Sequence, residues 1–437
     1  MTGDSGMTGN LSDLIGAYFY GFPVVFNIEQ VERYLTTGVG KNPAADFNTF
    51  SHARGLAGPE DTFVTINNDT LYSMAQLDMS VGPILLEVPE TAGRYFVLQF
   101  VSAWTENFAY IGHRATGPRA GRFLLVPPNW AGPIPDDAML VRVPTRVASI
   151  VGRWAVANDD DLPNVHALQD ATTLTQIDPA AVPAGVPSID AGLSDSAAFW
   201  QRFARWSEAF APADRDREMQ ERYVELVAAA SAEDLEAAVE QGQAKLEEIL
   251  GAGGGNDVVN GWNLAYHSFD YNLDYFEVGT LDLPEFKIAD PQRRVVQRAA
   301  AALGGLWGNH AYEAAYIATY VDDAGEQLVG TNTYQLHLLE LPPVSAFWSL
   351  TMYDVPDYFL VANAANRYSI GDRTAGIEFE DDGSLIITIS HDEPDDARAR
   401  ANWLPAPAGP FRPILRMYEP ANSVLDGTYT IPAITKI

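Results

Sequence analysis

Two groups of side chains have the types and spacing to do chemistry. The first is Asn67, Asn68, Asp69 and Tyr72 with Trp104, Glu106 and Asn107. Amides and carboxylates at the ends of short apolar segments can converge on a ligand, with Trp104 as an apolar wall. Glu106 has aromatic neighbours, an environment that raises a carboxyl toward neutral pH and suits it to acid–base work. The same Asn-Asp-Thr run is also ordinary turn chemistry, in which side chains satisfy nearby backbone groups. The second group is Trp348, Tyr353, Asn363, Asn366, Arg367, Tyr368, Asp372 and Arg373. A strand bearing Tyr353, followed by the Asn366-Arg367-Tyr368 loop, can clamp a carboxylate or sulfate through the planar fork of Arg367. The plainer alternative pairs Arg367 with Asp372 or Asp354 to hold a long loop.

Other chemistries find less support. His391-Asp392-Glu393, His310 with Glu313, and His267 with Asp270 and Asp274 bring histidine near carboxylates, but none has zinc or di-iron spacing. No cofactor is expected, and acidic loops offer at most a loose Ca²⁺ site. No Gly-x-Ser-x-Gly elbow occurs, and the Gly251–Gly255 run lacks the lysine of a phosphate-binding loop. With no cysteine, disulfides, thiolate metal sites and cysteine nucleophiles are excluded.

Charge narrows the partners. Lys and Arg total 27 against 58 Asp and Glu, a formal net charge of −31. Such a field repels phosphate backbones and anionic lipid, so neither nucleic acid nor a membrane surface is an expected partner. A small-molecule ligand is expected, and a homo-oligomer is compatible with the sequence. The N-terminal stretch has no basic leader, and Pro23 and glycines interrupt its apolar residues, so a cytoplasmic protein is expected.

The elements that must position these residues fall into blocks. Leu14, Ile15, Tyr18, Phe19 and Phe22 have helical spacing, predicting a helix over 11–35 that Pro23 kinks or interrupts. Short strands separated by turn residues are expected at 62–66, 70–79, 84–88, 94–101, 108–113, 122–126 and 139–143. Residues 155–193 read as a long surface connection. Helix is expected over 194–250, carrying the stripe Phe199, Phe203, Trp206 and Phe210, and again over 291–320. A second β block follows, with a hairpin of 377–380 and 384–390 turning at Asp381-Asp382-Gly383. The expected division is a helical region at 1–61, a β-sandwich at 62–193, a helical region at 194–326 and a second β-sandwich at 327–437. The fold class is α+β, with two antiparallel, jelly-roll-like β-sandwich domains and bridging and covering helices.

Long segments carry a resemblance. Asn67–Gly117, beginning NNDTLYSMAQLD, resembles the first half of a bacterial two-domain family, domain of unknown function 1254 followed by domain of unknown function 1214. PPVSAFWSLTMYD (342–354), NRYSIGDR (366–373), DGSLIITISHD (382–392) and NWLPAPAGPFRPILRMYEP (402–420) resemble its second half. The resemblance implies two β-sandwich-like domains with helical material between them, and no settled activity. The chain departs from the family pattern at Ser102, where Asp is expected, at Glu106, where Asn is expected, and at Gly305-Leu306-Trp307-Gly308-Asn309, which stands for a Gly-Leu-Gly-Ala-Asn run.

The functional expectation is a cofactor-independent small-molecule enzyme, hydrolase- or lyase-like, with an aromatic-lined pocket at the domain junction. Glu106 would transfer the proton and Arg367 would hold the anion. Trp104, Trp348 and Tyr353 would form walls, and Asn68, Asp69, Tyr72, Asn366 and Tyr368 would orient the ligand. The alternative is a non-catalytic module that binds a glycan or a protein.

Overall fold

The computed structural model describes residues 5–61, 65–251, 253–272, 278 and 287–437. The expected strand at 62–66 lies in part outside the described residues, as does Asp274. The N-terminal helix α1 (Ser5–Thr36) runs through Pro23, because Leu14, Tyr20, Val24, Ile28 and Val31 bury one continuous stripe. Its stretch from Leu11 is long and apolar enough to cross a membrane, yet 67% of that window is buried inside the protein.

The first β block holds β1 (Phe50–His52), β2 (Thr70–Asp78), β3 (Ile84–Val88), β4 (Phe96–Ser102), β5 (Asn107–Gly112), β6 (Gly121–Val126), β7 (Met139–Arg142) and β8 (Val147–Ala155). Next come α2 (Leu162–Ala171) and β9 (Thr173–Gln176), so 155–193 is not one open connection. Two sheets, ordered β7-β6-β3-β9 and β1-β2-β8-β4-β5, enclose a core that includes Ile84, Leu86, Phe96, Leu98, Phe123 and Ile150. Strand β8, absent from the expected set, is central and buried at every position. A strand covered on both faces loses the apolar–polar alternation by which strands are read.

The expected helix over 194–250 is three helices: α3 (Asp195–Ala209), α4 (Arg217–Ala229) and α5 (Ala232–Gly251). Ser194 caps α3 by accepting from the Ala197 amide at 3.3 Å. The aromatic stripe of α3 packs on α1, with Tyr18 and Phe199 ring centroids 4.8 Å apart. A β-carbon on Gly21 would stand 2.7 Å from the Phe203 ring, so only glycine allows this approach. Helix α6 (Pro291–Gly305) completes the layer, capped by Asp290. It ends well before residue 320, because the chain re-enters sheet.

The second sandwich holds β10 (Val258–Val259), β11 (Trp262–Asn263), β12 (Ala314–Thr319), β13 (Tyr334–Leu338), β14 (Val344–Asp354), β15 (Ser369–Gly371) and β16 (Leu385–Ser390). It continues with α7 (Ala397–Ala401), β17 (Trp403–Pro405), β18 (Phe411–Pro420), α8 (Asn422–Leu425) and β19 (Ile434–Lys436). Its sheets are β10-β11-β12-β18-β14-β15 and β17-β16-β13-β19. Both sandwiches therefore reach outside the expected bounds: β1 belongs to the first, and β10 to β12 belong to the second. Pairing is antiparallel except at β6–β7 and β16–β17. The turn at Asp381-Asp382-Gly383 forms, with Gly383 at φ 84° and Glu380 N–H donating to Ser384 O at 2.9 Å, but 377–380 is not a strand.

The larger sheet of each sandwich turns its back to the other. Tyr95, Val97 and Tyr110 of the first sandwich join the core that Phe347, Tyr418 and Leu350 build in the second. This sheet-to-sheet junction positions the site.

Candidate functional site

Register assembles the junction row by row. In the first sandwich Tyr72 pairs with Arg153, which pairs with Val97 on its other side, so all three point to the same face. In the second, Tyr316 pairs with Arg416, which pairs with Ser349. The next row is Ala318, Ile414 and Thr351. Two guanidiniums, Arg153 at 6% exposure and Arg416 at 4%, thus enter a space between two sheets.

The Asn67–Asp69 turn ties the sandwiches together. Asn67 Oδ1 accepts from the Asp69 amide at 2.5 Å, which is the turn chemistry expected. Asn67 Nδ2 also donates to the Tyr418 hydroxyl at 2.8 Å. Asp69 Oδ2 accepts from Ser349 Oγ at 2.6 Å and from the Tyr418 hydroxyl at 3.1 Å. Tyr353 donates to Ile66 O at 2.6 Å and accepts from Arg416 Nη2 at 2.8 Å; Nη2 also reaches Thr65 O. Arg153 donates to Gln99 Oε1 at 2.8 Å and to Trp307 O at 2.9 Å, with its guanidinium 5.3 Å from the centre of the Tyr72 ring. Gln99 and Asn107 both donate to Gly308 O, holding the 305–310 loop against the sheet.

Some polar atoms in this network have no partner. Arg416 Nη1, Thr351 Oγ1 and Asn68 Oδ1 are buried without a hydrogen bond, and no carboxylate among the described residues lies within 4.0 Å of Arg153 or Arg416. Tyr34, Tyr72, Trp307 and Tyr316 each keep partial solvent access, so solvent reaches this part of the junction. Tyr34, Tyr72 and Trp307 pack with Met74, Val101 and Val151 as its apolar wall.

At the end where Tyr95 packs on Phe347 and Tyr418 sits Glu313, only 1% exposed. Its Oε1 accepts from the Tyr95 hydroxyl at 2.8 Å, and its Oε2 has no partner. Burial pushes its carboxyl up to about 8; the Tyr95 bond and the charge of Arg153 oppose this, and Glu419 adds to it. Glu313 does not share a helix face with His310: the two bracket a turn closed by Glu313 N–H donating to His310 O.

The structure separates the sequence-nominated residues into four places. Asp69, Tyr72 and Tyr353 meet at the junction, with Asn68 beside them. Glu106 and Trp104 lie instead beneath the helices, next to Asp216, Arg294 and Arg298. Arg298 Nη1 stands 3.6 Å from both Glu106 and Asp216, between the rings of Tyr20 and Trp104 at 5.5 Å each. Burial raises the Glu106 carboxyl, Arg298 pulls it back, and Asp216 raises it further. Trp104 Nε1 donates to Phe210 O at 2.6 Å. Arg367, Asn366 and Tyr368 lie on the loop before β15, from which Tyr368 packs against the cluster of Tyr353, Leu360 and Ile414 at the junction. Arg367 pairs with no carboxylate among the described residues; its Nη1 donates to Ala401 O at 3.0 Å and to Trp403 O at 2.9 Å, which ties it to the backbone. Asn366 is exposed, and it accepts from the Tyr368 hydroxyl at 3.3 Å. Trp348 faces the opposite way from Ser349, into the core of the second sandwich. Glu106 and Arg367 therefore do not form one site.

Sequence reasoning missed Arg153, Arg416, Tyr316, Thr351 and, as an acid–base group, Glu313. A usable signal was present: an arginine inside an otherwise apolar strand run, as in VASIVGRWA and PILRMYEP. Among the described residues no three His, Asp or Glu side chains converge as a metal site would.

Comparison with known proteins agrees with the two-block organisation. Residues 47–176 match the family described as Protein of unknown function (DUF1254), and residues 313–422 match DUF1214, together more than half of the chain. Among solved structures, the VPA0106 protein from Vibrio parahaemolyticus aligns over 98% of this chain and 100% of its own, at 24% identity and a TM-score of 0.73, and so shares the fold. An uncharacterized protein from Burkholderia cenocepacia aligns over 99% of this chain and 95% of its own at 10% identity, with a TM-score of 0.46. No curated protein matches.

Proposed function

The chain belongs to the family that carries DUF1254 followed by DUF1214, and from the junction of its two sandwiches we propose that it is a cofactor-independent small-molecule enzyme working by acid–base chemistry. Glu313 is the proton-transfer group. Arg153 and Arg416 supply positive charge, and Tyr34, Tyr72 and Trp307 form the wall. The observation that carries this reading is Glu313 itself: a buried carboxyl with one oxygen held by Tyr95 and the other free, raised to about 8. Near neutral pH such a group holds its proton and can give it up, which is what a general acid needs.

A second reading has its own observation. Tyr320, Tyr358 and Arg412 form a partly exposed strip at the end of the same sheet face, with Arg412 4.1 Å from the Tyr358 ring centre. Aromatic strips of this kind suit glycan or protein binding without catalysis. Native mass spectrometry followed by a metabolite turnover screen separates the two. The enzyme reading expects turnover by the wild type and at least a hundredfold loss in Glu313→Gln. Full activity in that variant rejects it.

A further inference from the structure

The acid–base reading leaves the ligand unnamed, and the unpartnered donors at the junction specify its charge. Resting on that reading of the junction, we infer that this part of it takes a small carboxylic acid. Its carboxylate is held by Arg416 Nη1, Thr351 Oγ1 and the Tyr316 hydroxyl, and its flat apolar body lies against Tyr34, Tyr72 and Trp307.

Four observations lead there. Arg416 is 4% exposed, yet its Nη1 has no partner and no carboxylate among the described residues lies within 4.0 Å. The charge of Asp69 acts on Arg416 from beyond 4.0 Å, but Nη1 itself bonds to nothing, and a buried donor left unsatisfied is costly until an acceptor reaches it. The nearest acid, Asp69, already accepts from Ser349 and Tyr418 through Oδ2.

Thr351 Oγ1 is the second unpartnered donor. Thr351 lies two residues along β14 from Ser349, the partner of Arg416, so it is a diagonal neighbour on the same face. Tyr316 sits directly opposite Arg416 and accepts from Asn309 Nδ2 at 3.0 Å, which leaves its own proton to donate. One guanidinium nitrogen flanked by hydroxyls matches the two oxygens of a carboxylate, whereas a phosphate dianion calls for more charge.

The wall supplies the third observation. Tyr34 and Trp307 pack at 5.5 Å between ring centres, and with Tyr72 they offer flat apolar surface beside the donors. The fourth is the background. A chain of net charge −31 repels anions at its surface, so an anion held here needs buried donors aimed at it and not general attraction.

Isothermal titration of the full chain with benzoate, benzamide and inorganic phosphate tests the inference. Benzoate is expected to bind at least about tenfold more tightly than benzamide or phosphate. Thr351→Val, which removes only an unpartnered hydroxyl, is expected to weaken benzoate about fivefold with an unchanged melting temperature, and Arg416→Gln to abolish binding. Equal binding of benzamide, no binding of benzoate, or benzoate binding indifferent to Thr351→Val overturns the carboxylate. If benzamide binds as well as benzoate while Glu313→Gln kills turnover, the acid–base reading stands without the carboxylate. If benzoate binds as expected while Glu313→Gln stays fully active, the carboxylate stands and the acid–base reading falls.

Discussion

Beneath the helices, Arg294 and Arg298 face Glu106 and Asp216, two guanidiniums against two carboxylates. Arg294 donates to Asp216 at 2.8 Å, and Arg298 stands between both acids. Between the sandwiches, Arg153 and Arg416 are buried as deeply, but within 4.0 Å they meet hydroxyls, amides and carbonyls and, among the described residues, no acid. Arg298 Nε also lacks a hydrogen bond, so an unpaired atom alone does not distinguish the two regions. Direct pairing and solvent access do. The first cluster pairs its charges directly and is shut beneath Tyr20 and Trp104; in the second, Asp69 stays beyond 4.0 Å of Arg416, and the cluster borders residues that solvent reaches. Directly paired buried charges fasten layers together, whereas buried donors left without an acceptor suit completion by a ligand, as the proposed reading requires.

The sharpest way to break this contrast is to remove one partner from each region. Arg298→Ala leaves Glu106 buried without its paired cation and Asp216 with Arg294 alone, and the expected loss is about 3–5 kcal/mol in urea unfolding. A loss below about 1 kcal/mol would deny the fastening role.

The next largest effect is that of Glu313. Its folded-state carboxyl titrates at about 8 instead of 4.5, so between those values the folded protein holds a proton that the unfolded chain has released. Its contribution to stability is therefore full below pH 4.5 and is lost as pH rises toward 8, at up to about 1.4 kcal/mol per pH unit. Glu313→Gln should flatten that slope and raise stability at pH 8 by a few kcal/mol. If Glu313 is the proton donor proposed above, turnover is expected to fall above about pH 8. A stability profile with the same slope in both proteins contradicts the burial argument.

Smaller effects sharpen the edges. Arg367→Ala removes two bonds to backbone carbonyls, an expected loss of about 1–2 kcal/mol with benzoate affinity unchanged. A change in affinity would return Arg367 to the site. Thr351→Val should shift stability by less than about 0.5 kcal/mol, because the hydroxyl it deletes bonds to nothing.

These regions also mark how far the sequence could be read. Strand 84–88 was legible to the residue, because β3 alternates buried and half-buried positions between clear turns. Strand β8 was not, because burial on both faces erases alternation. Helix α6 was legible at its start, where Asp290 and Pro291 form a cap, but its C-terminal bound was lost. Ala314–Thr319 is read as helix or strand with equal ease until β18 pairs with it. At the site, Asp69, Tyr72 and Tyr353 stand out as polar side chains at element ends. Arg153 and Arg416 reach them only because two sheets stack back to back, and the meeting of strands so far apart in sequence leaves no local trace. Glu106 looked catalytic for a sound reason, aromatic burial, and the same burial made it a fastening.

Trp307 carries a consequence for how relatives could diverge. Its backbone is left-handed, at φ 63°, a conformation that suits glycine, and it is held there by Nε1 donating to Asn27 Oδ1 at 2.7 Å and by its ring against Tyr34. Trp307, Asn27 and Tyr34 all lie outside the two segments that define the family, whereas Asp69, Tyr72, Arg153, Glu313, Tyr316, Thr351 and Arg416 lie inside them. The charged residues and Tyr72 thus lie on the family's two segments, while Tyr34 and Trp307 come from the N-terminal helix and one loop. On the proposed reading, a change confined to that helix and loop reshapes what fits against the junction and leaves the framework as it is.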